Sequence, residues 1–295
     1  MQNVSRALYV LILIVSLAGL ALPVFAQQVI ATVPVGVEPA SSAVNSTTNK
    51  IYVPNQCGND ATCAYPYSQG TVTVVDGATN NPTTVNVGYY PSTVAVNPVT
   101  NTIYVANQCG SDPTCASYGT VSVIDGVSNT VIATVTVESD PYGVTVNSVT
   151  NNIYVANSCG TDLSCNTYSG TVSVIDGVNN TVTATVNAGA GPAPPVVNLV
   201  TNKIYVANSC GTDSSCPTNP PYSGPGTVTV IDGVTNNPTS VGVGVYPYGI
   251  DVNSVTNKIY VANNCGDDLN CQSTATMTMI DGTSLATTDV SIGGY

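Results

Sequence analysis

Apolar and polar positions alternate along most of this chain in short runs separated by clusters of Asn, Asp, Gly and Pro. Between residues 93 and 137 the runs are Thr93–Asn97, Thr102–Ala106, Thr120–Ile124 and Val131–Val137, which we label A to D. A period of two is the mark of a half-buried β-strand. The same four runs return five times, with the Ile-Tyr-Val triplets of B beginning at Ile51, Ile103, Ile153, Ile204 and Ile259, in steps of 52, 50, 51 and 55 residues. Periods of this length belong to propellers or solenoids. Four hairpin-linked strands per repeat point to the radial four-stranded sheets of a β-propeller, because the rungs of a parallel β-helix are shorter. The expectation is an all-β, five-bladed propeller occupying residues 27–295 as one domain.

The turns agree with that reading. Asn97-Pro98-Val99-Thr100-Asn101 links A to B and is echoed at 147–151, 198–202 and 253–257, while Asp125-Gly126 links C to D and recurs at Asp76, Asp176, Asp232 and Asp281. Asp-Gly suits a hairpin through an Asp cap and a Gly free to take positive φ. Alternation places the A–B and C–D turns on one rim and the B–C and D–A connections on the other. All five Cys loops then crown one face, together with the D–A segments Tyr89-Tyr90-Pro91, Asp140-Pro141-Tyr142 and Tyr246-Pro247-Tyr248. One D-type strand is surplus: Val29–Val35 matches Val131–Val137, yet residues 286–292 supply a D strand of their own. The expectation is that Val29–Val35 pairs with residues 274–280 and closes the ring. That leaves the C-terminal run as an outer strand or an unpaired edge able to template another chain.

Composition adds a compartment. Residues 1–26 carry Arg6, an apolar run from Ala7 to Leu22 and Val24-Phe25-Ala26, the layout of a cleaved signal peptide. Removing it takes the formal charge from −12 to −13 and leaves Lys50, Lys203 and Lys258 as the only basic side chains. Nucleic acid and anionic membranes are poor partners for such a surface, and no later run is long and apolar enough for a membrane span. Five cysteine pairs, Cys57/Cys63, Cys109/Cys115, Cys159/Cys165, Cys210/Cys216 and Cys265/Cys271, each enclose five residues. Behind a signal peptide they read as disulfides within each loop. Bridges between neighbouring repeats are the alternative; zinc fits poorly, with two thiols per repeat and no His.

The blocks Tyr104–Asn107, Tyr154–Asn157, Tyr205–Asn208 and Tyr260–Asn263, each followed by a strand ending in Val-Ile-Asp-Gly or a close variant, resemble the YVTN β-propeller repeats of secreted and surface-layer proteins. The resemblance covers nearly all of the chain beyond residue 26. Here Ala, or Pro54 in the first copy, stands in place of Thr, and each repeat carries an inserted Cys loop. It implies a propeller and an exported, periplasmic or cell-surface location; functions in the family vary widely.

Candidate chemistry is sparse. The loop acids Asp60, Asp112, Asp162, Asp213 and Asp267, with Asp268 beside it, offer oxygen ligands to calcium or, more simply, caps for their own turns. Asp267 and Asp268 are the best metal candidates. Asp251 stands on the innermost strand where other repeats have Ala43, Ala95, Thr145 and Val196, near the expected channel mouth. Tyrosines within Ile-Tyr-Val are expected to pack between blades. Tyr65, Tyr67, Tyr118, Tyr168 and Tyr222 in or after the Cys loops, and Tyr90, Tyr142, Tyr246 and Tyr248 in the D–A connections, are candidates for a contact face. With no His there is no Ser-His or Cys-His pair, and no phosphate-cradling Gly motif is present, so neither catalysis nor a cofactor is expected. The readings are a secreted binding or scaffold protein contacting protein or glycan, a self-assembling filament or surface-layer subunit using the spare strand, and a propeller hydrolase as the least supported.

Overall fold

The computed structural model describes residues 29–216 and 220–291. The chain divides into two units, Met1–Thr32 and Val33–Tyr295. The expected signal peptide lies outside the described residues.

The second unit holds five antiparallel four-stranded sheets, each consecutive in sequence. The first comprises β1 (Ala43–Asn45), β2 (Lys50–Asn55), β3 (Gln69–Asp76) and β4 (Pro82–Tyr89). The second has β5 (Pro91–Asn97), β6 (Thr102–Asn107), β7 (Thr120–Asp125) and β8 (Thr130–Thr136). The third has β9 (Ser139–Asn147), β10 (Asn152–Gly160), β11 (Thr171–Asp176) and β12 (Thr181–Asn187). The fourth has β13 (Val196–Asn198), β14 (Lys203–Asn208), β15 (Thr227–Asp232) and β16 (Pro238–Gly242). The fifth has β17 (Pro247–Asn253), β18 (Lys258–Asn263), β19 (Thr276–Asp281) and β20 (Thr287–Ser291). These are the blades expected from the period, within two residues at each end of the second repeat. Among the described residues no helix is long and apolar enough to cross a membrane.

Alternation along the B strand determines how blades stack. Tyr104 and Ala106 face one way with Val121, Val123 and Val135, and pack against Ile153, Val155 and Ile175 of the next blade. Equivalent clusters join the first blade to the second, the third to the fourth and the fourth to the fifth. Tyr52, Tyr104, Tyr154 and Tyr205 are fully buried as a result. Each core is thus shared between two blades, which makes a single repeat unable to bury its faces alone.

Polar bonds repeat the same stacking. Asn97 Oδ1 accepts from Val99 N and Thr100 N, capping its own turn, while its Nδ2 donates 2.7 Å to Asn151 Oδ1 of the next blade. Asn45, Asn147 and Asn198 do likewise. Asn45 is fully buried in this role. The glycine of Asp-Gly serves a purpose other than positive φ. Its N–H bonds to Asn101 O at 2.9 Å, and a Cβ at Gly126 would collide with Asn101. The positive φ falls on Asn129 instead, at 54°.

The surplus strand is settled differently from the expectation. β19 pairs with β20, from Thr276↔Ser291 to Ile280↔Thr287. Residues 29–35 form no strand, and Val29 and Ile30 are 80% and 96% exposed. β20 follows β19 through one tight turn, Leu285 N to Asp281 O at 2.8 Å, so the local hairpin captures the edge.

Candidate functional site

The Cys loops and D–A connections meet on one face. All five cysteine pairs are bonded within their own loops: Cys57 to Cys63, Cys109 to Cys115, Cys159 to Cys165, Cys210 to Cys216 and Cys265 to Cys271. The two ends of each bridge differ. The first cysteine is buried in every loop, whereas Cys63 and Cys271 are only half-buried, with the backbone turned to φ of 45° and 56°. Neither Cys63 nor Cys271 lines the two tyrosine-lined cavities described below; Cys271 packs instead beside Tyr222 and Tyr246.

Each D–A connection is clamped to the following Cys loop by backbone bonds: Tyr89 N to Gly110 O, Cys109 N to Tyr89 O and Gln108 N to Tyr90 O at 2.8, 3.2 and 3.0 Å. The clamp holds Tyr90, Asp140 and Tyr246 at φ of 53°, 55° and 54°. A left-handed backbone costs a non-Gly residue about 1–2 kcal/mol, and such strain concentrates at binding sites.

The loops also touch one another. Tyr67 N bonds to Pro113 O, Tyr168 N to Ser214 O and Tyr222 N to Leu269 O, each pairing one loop with the next. Tyr67 lies 4.8 Å from Tyr90 and 5.9 Å from Tyr65, ring centre to ring centre, and Tyr222 stacks on Tyr246 at 4.8 Å. Tyr65 is 66% exposed and Tyr118 37%, and their hydroxyls reach Thr114 O and Thr161 O of the following loops. The Tyr65 and Tyr118 side chains therefore bridge neighbouring repeats.

Within this crown lies a cavity of about 710 Å3 to which all five blades contribute, among them Gln56, Tyr90, Gln108, Tyr142, Pro194 and Tyr248. A second hollow of about 300 Å3 shares Gln108, Tyr142 and Tyr248 and adds Asp140, Ser158, Tyr168 and Tyr246. Tyr142 and Tyr248 Oη are 3.2 Å apart. That bond, then burial, pushes the Tyr142 hydroxyl up to about 12. Burial raises the Asp140 carboxyl, opposed by a bond from Ser158. Asp140 sits against Cys159 and Cys165, but a disulfide offers no thiolate to a metal.

The loop acids serve their own turns. Asp60 Oδ1 accepts from Thr62 N and Oγ1 and its Oδ2 from Ser68, which hold its carboxyl below the usual range. In the fifth loop the equivalent is Asp268, bonded by Asn270 N and Gln272 N. Asp267 is one place off that register and exposed. Asp251 lines a separate hollow with Tyr260 and is not among the residues lining the tyrosine cavity. It pairs across the sheet with Tyr260 and shares its face. Gln56, Gln108 and Asp140 were not singled out from sequence as site residues. Their only signal is position, Gln immediately before the first Cys of a loop and Asp immediately before the D–A proline.

No family model matches the chain, and no curated protein matches it. Solved structures do. A chain of hydrazine synthase from Kuenenia stuttgartiensis aligns at TM-score 0.64 and 17% identity, over 91% of this chain and 70% of that one. The β-propeller domain of the Trilobed protease from Pyrococcus furiosus aligns at 0.53 and 9%, over 88% and 72%. The β-propeller domain of Cps50 (Swd1) from Myceliophteria thermophila aligns at 0.57 and 10%, over 88% and 72%. At these identities the likeness establishes the propeller fold.

Proposed function

We propose that this is an exported binding propeller whose crown takes a glycan segment, without catalysing its conversion. The observation that carries the reading is the cavity where Tyr90, Tyr142 and Tyr248 from three blades converge with Gln56 and Gln108. Aromatic faces give apolar area at low entropy cost and amides pair with vicinal hydroxyls, a combination suited to an uncharged, hydroxyl-rich ligand. Five disulfides support an oxidising compartment, outside the cell or in its envelope. The non-catalytic part rests on side chains rather than fold, since a hydrazine synthase chain carries the same architecture. The chain has no His and its described cysteines are bonded; the carboxylates of Asp60, Asp112, Asp162, Asp213 and Asp268 bond within their own turns.

Screening the purified protein against a printed oligosaccharide panel, with extended peptides alongside, tests this. Tyr142→Ala or Tyr248→Ala is expected to weaken the best hit by at least about thirtyfold, the loss of one aromatic anchor of ~2 kcal/mol. Binding that ignores both substitutions, selection of peptides over glycans, or turnover of the hit would each overturn the reading.

A further inference from the structure

Four blade-to-blade interfaces are built, yet five blades have five pairs of facing sides. Among the described residues no core cluster joins the fifth blade to the first. The burial pattern marks both unpaired sides. Val290 is 50% exposed, whereas its equivalents Val85, Val135, Val186 and Val241 are 5–8% exposed. Tyr260, Ala262, Met277 and Met279 are half-buried, where Tyr104, Ala106, Val121 and Val123 have no exposure at all. At the opposite end Ile51 and Val53 are half-buried and Val44 is 60% exposed, although Ile103 and Val105 are completely covered.

Polar groups show the same vacancy. Asn45, Asn97, Asn147 and Asn198 each reach the next blade, and Asn253 makes no such bond among the described residues. Lys50 Nζ donates to Gly126 O and Lys203 Nζ to Gly282 O, both one blade on, while Lys258 falls back on Asp281 of its own sheet at 2.7 Å. The segment entering the first blade has the form of a connection arriving from a blade before it. Val37 N bonds to Gly58 O and Cys57 N to Val37 O, the pattern that Tyr89 and Val245 make where a preceding blade ends.

Repeat arrays that stop on themselves present polar outer faces; here both ends are apolar. The two free sides are the two halves of an interface this chain builds four times, Tyr-Ala on one and Ile-Val on the other. We propose that the fifth blade of one molecule docks on the first blade of a second copy, head to tail. The contact is heterologous, so each addition leaves one free face of each kind and chains of copies result. Asp251 is compatible with docking: its equivalents Ala95 and Val196 stay half-buried in built interfaces, and Val196 lines the central cavity.

Val53→Asp blocks the first-blade face and Met279→Asp the fifth-blade face, both at half-buried positions, and circular dichroism melts verify that each variant folds. Sedimentation velocity of the wild type over a hundredfold concentration range is expected to show growing oligomers. Each variant alone is expected to remain monomeric, and a mixture of the two to form a 1:1 dimer and nothing larger, since each contributes its one intact face. A wild type that stays monomeric throughout, as a ring closed on itself would, overturns the proposal. So does a variant that assembles like the wild type, or a mixture that gives no dimer.

Discussion

The seam between the fifth and first blades makes one tyrosine unlike its four equivalents, and a pair of substitutions measures the difference. Tyr104 is completely buried between two blades. Truncating an aromatic at such a site removes its transfer energy and leaves an enclosed cavity, about 3–5 kcal/mol in all. Tyr260 occupies the same strand position with its outer side uncovered. Full burial of a large side chain contributes about 1.5–3 kcal/mol, so half-burial with no enclosed cavity predicts about 1 kcal/mol. For a domain of this size 1 kcal/mol moves the melting temperature by roughly 2–4 °C. Tyr104→Ala is therefore expected to lower Tm by about 6–20 °C and Tyr260→Ala by about 2–4 °C. The assay is thermal melting by circular dichroism at a protein concentration where sedimentation shows monomers only, with Tyr154→Ala and Tyr205→Ala repeating the buried case. Equal shifts for Tyr104→Ala and Tyr260→Ala would refute the open seam, because they require a neighbour covering Tyr260 within the same molecule.

Asp140 and the turn acids respond to pH in opposite senses. Burial raises Asp140, so its stabilising contribution is full below the unfolded carboxylate value and is lost as pH rises through the folded one. Asp140→Asn, which tolerates the same positive φ, is expected to raise Tm at pH 7 and to leave it unchanged near pH 3; an unchanged or lower Tm at pH 7 contradicts this. Asp60, Asp112, Asp213 and Asp268 are lowered by their turn bonds, so their contribution is present above the unfolded value and is lost as pH falls through the folded one. Acid melts of wild type against Asp60→Ala are expected to converge as pH falls below the unfolded carboxylate value of about 3.9 and on through the lowered folded one. Replacing Cys109 and Cys115 together with Ala should cost roughly 2 kcal/mol from loop entropy, read as a fall in the denaturant midpoint.

Much of the architecture was legible because every repeat restates it. Strand positions follow from alternation, the loop disulfides from five equal spacings, and the crown from strand parity, all local properties that five copies confirm against each other. The tyrosines Tyr90, Tyr142 and Tyr248 could be assigned to the crown for the same reason. Their convergence with Gln56, Gln108 and Asp140 could not, because it depends on how far each connection reaches over the channel. Equal spacing likewise made the ten cysteines look alike, although Cys63 and Cys271 sit at half-buried loop ends while their partners Cys57 and Cys265 are fully enclosed.

The spare strand and the seam lay beyond local pattern. Val29–Val35 and the run beginning at Ala286 carry the same alternation, and nothing in either ranks it as the partner of β19. Chain entropy does: closing the Asp281–Leu285 turn involves five residues, whereas recruiting the N-terminal run spans roughly 240, a difference of about 3 kcal/mol in loop closure. Likewise Ile51 and Tyr260 read as core residues in sequence, since each sits in a motif that is buried in other copies. Whether a repeat has a neighbour on both sides is a property of the stack, and only the packed structure shows that the first and last blades each lack one.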